Sequence, residues 1–222
     1  MISHTYRCVF IHIPKTAGSS IETKLGRQVT TGRNQQDHRA LCHIQPLTLG
    51  EHLALWREGK RNIVLKRLKY RLQGRDFLTP EQYRSYFKFS FVRNPWARVH
   101  SWYKNVMQDP LHQEELGVPP ECSFPEFVEQ YLDTWALRPQ LYWLRDCRGN
   151  IPLDFIGRFE RLQEDFARVS ARLGLPDANL PHLIRSGGPS YREVYDERSR
   201  AIVARRYAEE IALFGYRFEG EA

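Results

Sequence analysis

Residues 8–20 read CVFIHIPKTAGSS. The apolar run 8–13 stops at Pro14, Thr, Gly and Ser residues follow, and SIETKLG then has a helical look, so the stretch predicts strand, loop and helix in succession. A loop between a strand and a helix converges backbone N–H groups and the positive end of a helix dipole on one spot, which favours an anion there. Lys15 adds a full charge, and Thr16, Ser19 and Ser20 add hydroxyl donors. Gly18 lets the backbone approach closely without a Cβ in the way. A nucleoside-triphosphate loop reads GxxxxGK[ST], with its first glycine well ahead of the lysine; here Pro14 precedes Lys15, so the kinase-type loop is absent. Taken alone, PKTAGSS fits both an anion site and an ordinary lysine-bearing turn.

A second junction of the same kind lies further on. SYFKFSFV (85–92) is aromatic with partial alternation and predicts a buried strand, and Asn94-Pro95 supplies a cap and a first-turn proline for the helix WARVHSWYKNVM. Arg93 then falls at the carboxyl end of the strand, with Ser101 eight residues on, inside the helix. An arginine fork suits a phosphate monoester, and a serine hydroxyl shares the same oxygens. Two anion sites imply one ligand with two separated anionic groups.

Elsewhere PLDFIGRFE (152–160) reads as a further strand, and Phe159, Leu162, Phe166, Val169 and Leu173 recur at helical spacing until Gly174 and Pro176 stop the run. That stripe is core. TLGEHLALW (48–56) reads as a helix, residues 59–74 as a basic amphipathic helix or basic arm, and 197–216 as one charged amphipathic helix closing the domain. The polar stretch Arg27–His38 reads as a loop or lid, RSGGPS (185–190) as a turn, and Pro110–Pro125, with four prolines, as a loop and the place to look for a mobile acceptor-facing segment. Strands alternating with helices predict an α/β, P-loop-like, three-layer fold: a mainly parallel central sheet flanked by helices, one domain over 1–222.

The formal charge of +7 and a pI near 9.3 favour polyanionic partners: a phosphorylated cofactor, a sulfated or carboxylated glycan, nucleic acid or an acidic membrane surface. The basic residues are spread along the chain, so a merely solvated basic face fits the charge equally well. Cys8, Cys42, Cys122 and Cys147 form no CxxC pair and are expected as free thiols, Cys8 as a buried small hydrophobe. No apolar stretch is long enough to span a bilayer and MISHTYRCVFIHIPK lacks a signal peptide's organisation, so a soluble, cytoplasmic protein is expected.

With both junctions in view, the sequence resembles the sulfotransferases that use 3′-phosphoadenosine 5′-phosphosulfate (PAPS), in particular the carbohydrate branch that includes the heparan sulfate 2-O enzymes. PKTAGSS resembles that family's 5′-phosphosulfate loop and RNPWARVHS its 3′-phosphate motif, and the likeness continues through RPQLYWLRD, FIGRFERLQEDF and YREVYDERSRAIVARRYAEEIALFGYRF, from Cys8 to Phe218. It implies that Lys15, Thr16, Ala17, Gly18, Ser19 and Ser20 wrap the 5′ end of PAPS, with Lys15 nearest the bridging oxygen. Arg93 and Ser101 would hold the 3′-phosphate. The sulfuryl group would pass to a hydroxyl acceptor, a glycan or a small metabolite, by in-line displacement without a metal, leaving adenosine 3′,5′-bisphosphate.

The resemblance also points to His43, in ALCHIQPLTLGEHL, as the general base, a role suited to a histidine near its ordinary pKa; His38 is the rival. Arg158, Glu160 and Asp165 are expected to form a structural ion-pair or capping network. His12 and His100 are expected in the core or at its edge, and Trp96, Trp102 and Tyr103 in packing. Two other readings stay open: a small-molecule kinase, and a nucleotide- or nucleic-acid-binding protein without transferase activity.

Overall fold

Four strands form one sheet, in the order β1 (Ile2–Ser3), β2 (Cys8–Ile11), β3 (Phe87–Val92) and β4 (Phe155–Arg158), in the computed structural model, which describes residues 1–26, 36–180 and 190–219. The two-residue β1 pairs antiparallel with β2, whereas β2, β3 and β4 are parallel, with Phe10 opposite Phe89, Ile11 opposite Ser90 and Phe91 opposite Gly157. Between β2 and β3 run α1 (Gly18–Lys24), α2 (Leu41–Ile44), α3 (Leu49–Arg57), α4 (Arg61–Leu72) and α5 (Pro80–Ser85). Between β3 and β4 run α6 (Pro95–Met107), α7 (Pro110–Leu116), α8 (Phe124–Gln130) and α9 (Leu141–Leu144), and after β4 come α10 (Leu162–Leu173), α11 (Tyr191–Val194), α12 (Glu197–Arg206) and α13 (Ala208–Phe214).

The sheet is buried on both faces because its side chains alternate. Val9 and Ile11 face a core shared with Leu41, Ile44, Leu55 and Trp143, while Cys8 and Phe10 face Ile21, Phe89, Phe166 and Val169. Helices α2, α3 and α9 therefore cover one face and α1 and α10 the other, the three-layer α/β arrangement that alternating strands and helices predicted. A third apolar cluster joins α6, α8 and α12 through Val99, Phe127 and Val203. Gly157 in β4 is required by contact: a Cβ there would lie 2.4 Å from the Phe91 ring.

Several local expectations hold. Asn94 Oδ1 accepts from the Trp96 and Ala97 N–H groups at the start of α6 with Pro95 at its first turn, Gly174 ends α10 in the left-handed region, and the four cysteines are free and buried. Two need correction. Residues 110–125 are not one loop: Pro110 opens α7, Asp109 caps it and left-handed Gly117 closes it, so a proline counted as a breaker acts as a helix starter. The helix expected over 197–216 breaks at Tyr207, whose hydroxyl is anchored 2.6 Å from the Leu137 carbonyl. Most of the expected lid, 27–35, and most of the RSGGPS turn, 185–189, lie outside the described residues. Among the described residues no helix is long and apolar enough to cross a membrane.

Candidate active site

Parallel pairing brings the two junctions together. With Ile11 opposite Ser90, β2 and β3 end side by side, and the loops that leave them meet outside the carboxyl edge of the sheet, where open α/β sheets hold their ligands. Arg93 Nη1 donates to the Lys15 carbonyl at 3.1 Å, across 78 residues of sequence. Lys15, Ser19, Ser20, Arg93 and Ser101 all line one cleft of about 1230 Å³.

The Lys15 loop is held in an uncommon shape. Lys15 and Ala17 adopt left-handed backbone angles, φ 69° and 65°, which side chains with a Cβ rarely take, so the surrounding structure must enforce them. Two contacts do so. Fully buried Arg98 donates from Nε to the Pro14 carbonyl at 3.1 Å, and Thr16, also fully buried, donates its hydroxyl to the Ile13 carbonyl at 2.9 Å. The Thr16 hydroxyl is therefore committed within the loop and does not line the cleft. Gly18 is required for a different reason from the one expected: a Cβ there would lie 1.9 Å from the His12 imidazole, so the space is taken by protein and not reserved for a ligand.

Lys15 Nζ donates to Asn105 Oδ1 at 2.9 Å, and burial, then the nearby Arg93 charge, pulls its pKa down to about 8. Burial likewise lowers Arg93 to about 10. Its guanidinium lies 3.9 Å from the Phe159 ring centroid, its Nε is buried with no partner, and its peptide is clamped by Gln140, which accepts from Arg93 N and donates to Arg93 O at 2.8 Å each. Glu210 accepts in turn from the Gln140 amide. Among the described residues no carboxylate lies within ion-pairing distance of Lys15 or Arg93. Two cations thus line one cleft without a described carboxylate to neutralise either.

Three histidines border the cleft. His12 is buried and bonds through Nδ1 to Glu22 at 2.9 Å; Trp102 and Trp135 form a wall beside it. The His38 ring lies 4.1 Å from that of His12, and its Nδ1 donates to the His12 carbonyl at 3.1 Å. The Gln36 amide links His38 to the Lys15 loop: its Oε1 lies 2.9 Å from His38 Nε2, so both ring nitrogens face an oxygen, and its Nε2 donates to Ser19 Oγ at 2.6 Å. His43 is wired the other way. Its Nδ1 accepts from the Ala40 N–H at 3.2 Å, so the ring proton is on Nε2, which is buried with no partner.

Burial pulls both His38 and His43 down to about 3. The further causes differ: His12 lowers His38 while Glu22 and Asp37 raise it, whereas Lys66, Arg67, Arg39 and Arg138 all lower His43. Neither His38 nor His43 therefore keeps the ordinary histidine pKa expected of the base.

A profile of the sulfotransferase family matches residues 1–217. The chain belongs to the sulfotransferase family. It is 24% identical over 202 residues to carbohydrate sulfotransferase 14 of Homo sapiens, covering 76% of this chain and 45% of that one. It is 30% identical over 127 residues to carbohydrate sulfotransferase 14 of Danio rerio, covering 45% and 34%. An uncharacterized protein of Archaeoglobus fulgidus is 32% identical over 109 residues, 49% of this chain and 85% of its own. The chain spans less than half the length of the carbohydrate sulfotransferases it matches. No solved structure matches.

In this sulfotransferase, sequence reading missed the residues that shape the loops from behind. Gln140 lies within the quoted RPQLYWLRD without an assigned role, and Arg98 and Asn105 sit one helical turn either side of Ser101 on α6. Glu160 and Asp165 serve structure, as expected: they accept from the Asn94 and Arg158 backbone N–H groups, and Asp165 also pairs with Arg161 and Arg168.

Proposed function

We propose that this sulfotransferase binds PAPS across the Lys15 and Arg93 loops and transfers its sulfuryl group to a hydroxyl, with a carbohydrate as the acceptor class. The observation that carries the reading is the pair of partly buried cations, Lys15 and Arg93, joined through the Lys15 carbonyl at the ends of adjacent parallel strands and unpaired by any described carboxylate. Orphaned polar atoms fit the same view. Arg93 Nε and Trp102 Nε1 are buried without partners in side chains that line the cleft, and each lost partner costs about 1–3 kcal/mol unless a ligand supplies it. The carbohydrate acceptor follows the names of the relatives.

Lys15 and the 15–20 loop would hold the 5′ end, and Arg93 with Ser101 the 3′-phosphate. The bound nucleotide supplies the sulfuryl group. Lys15 Nζ, released from Asn105, would neutralise charge on the departing oxygen. His38 suits the general base better than His43. Glu22 and Asp37 favour its protonated form, and the Nδ1 bond to the His12 carbonyl holds the ring in place. His43 offers the acceptor side an N–H and sits among cations that oppose protonation.

A thermal-shift titration with adenosine 3′,5′-bisphosphate tests the binding claim, because a ligand of the native state raises its apparent stability. The melting temperature should rise saturably, and Lys15→Ala and Arg93→Ala should each weaken the effect about tenfold or more. Unchanged affinity in both variants would remove the site assignment. His38→Ala should keep nucleotide binding and lose transfer; full turnover in that variant sinks its role as base.

A further inference from the structure

At the His43 end of the cleft a recess of about 250 Å³ opens, in which His43, Asn62, Lys66, Arg138 and Tyr142 supply the polar lining and α4 the apolar remainder. Among the described residues no acidic one lines it. Lys66 Nζ donates to the Tyr142 hydroxyl at 3.0 Å and the Arg138 guanidinium lies 4.6 Å from the Tyr142 ring centroid, so one tyrosine positions both cations. Among the described residues neither cation has a carboxylate partner, although Arg39, Arg145 and Arg148 all do. His43 is 2% exposed, and its Nε2–H is the buried donor left without an acceptor.

We propose that His43, Lys66 and Arg138 form an anion subsite, separate from the Lys15 and Arg93 pair, that takes one carboxylate or sulfate ester carried by the acceptor. Three donors around a recess with no acidic lining match a small oxyanion, which needs several charge-assisted hydrogen bonds to leave water. The positive surroundings agree: apart from burial, every group shifting His43 is a cation that disfavours its protonation. An oxyanion would satisfy Nε2–H and offset Lys66 and Arg138 together. Neither Arg93 nor any residue of the 15–20 loop lines the recess, so the nucleotide and the second anion do not compete for donors. That the anion belongs to the acceptor rests on the sulfotransferase reading; that the recess binds a small oxyanion does not.

The test follows the His43 imidazole by NMR in the full chain, with His43→Gln identifying its resonance. Glucuronate, glucose 6-sulfate and glucose are the probes, at constant ionic strength. One or both acidic sugars should move the His43 resonance saturably while glucose leaves it unmoved, and the sugar that acts tells carboxylate from sulfate. Lys66→Met and Arg138→Met should each weaken the response about tenfold, and Lys69→Met, which lines the main cleft and not the recess, should leave it intact. Equal responses to all three sugars, no response to any, or full response in both variants overturns the subsite. Adenosine 3′,5′-bisphosphate binding is measured in the same samples. If the nucleotide binds and the acidic sugars do not, only the subsite fails; if the sugars bind and the nucleotide does not, the sulfotransferase reading fails.

Discussion

Lys15 carries its charge under protest from its surroundings, and that makes nucleotide binding sensitive to pH in a definite direction. Burial and Arg93 place its pKa at about 8 in the free protein, and an anionic group bound at its amine would raise it. Binding at neutral pH therefore uses an already protonated amine. Above about pH 8 a proton must be taken up, so the affinity for adenosine 3′,5′-bisphosphate should fall as pH rises through that value. Isothermal titration from pH 6.5 to 9.5 checks this, and Lys15→Arg should remove the dependence; a flat wild-type profile counts against Lys15 at the anion. Gly18 makes a second case, because its missing Cβ accommodates His12. Gly18→Ala should push the His12 ring from its place, cost about 1–3 kcal/mol in a denaturant titration and weaken nucleotide binding as the loop shifts.

At the scale of elements, α6 is the piece that ties the site together. It begins at the Asn94 cap, presents Ser101 to the cleft, and sends Arg98 to the Pro14 carbonyl and Asn105 to Lys15, so one helix touches both loops. Asn94→Ala removes the side-chain acceptor for Trp96 N and Ala97 N and should lower stability by about 1 kcal/mol, read as an earlier denaturant midpoint with an unchanged slope. A loss of nucleotide affinity should accompany it, because the variant also loses the Asn94 Nδ2 bond to the Arg217 carbonyl, which ties down the residue next to Arg93. Helix α7 teaches a related lesson. Its Asp109-Pro110 start and Gly117 stop are readable local signals, yet a count of prolines obscured them.

Across the whole molecule, the claim that one ligand grips two segments distant in sequence has its own observable. Hydrogen exchange should slow in peptides spanning 13–21 and 92–105 at the same concentration of adenosine 3′,5′-bisphosphate; protection of one segment alone would separate the two junctions. The local parts of this arrangement were legible because they rest on short-range chemistry: the apolar run before Pro14, the Asn94-Pro95 cap, the Arg93-to-Ser101 spacing and the alternating elements. The clamps were not. Gln140 reaches Arg93 across 47 residues and Arg98 reaches Pro14 across 84, contacts that no periodicity encodes. The reason given for Gly18 failed in the same way, since the ring it makes room for becomes its neighbour only once the chain folds back. His38 lies ahead of α2 and His43 within it, and only folding supplies the partner of each Nδ1, a carbonyl for His38 and an N–H for His43. The sequence by itself determined the strand-loop-helix units and the kinds of side chain at their junctions, because dihedral preference and side-chain chemistry are local. Tertiary structure alone decided which of those side chains are buried, paired or left open to a ligand, because desolvation and hydrogen-bond pairing depend on neighbours that folding supplies.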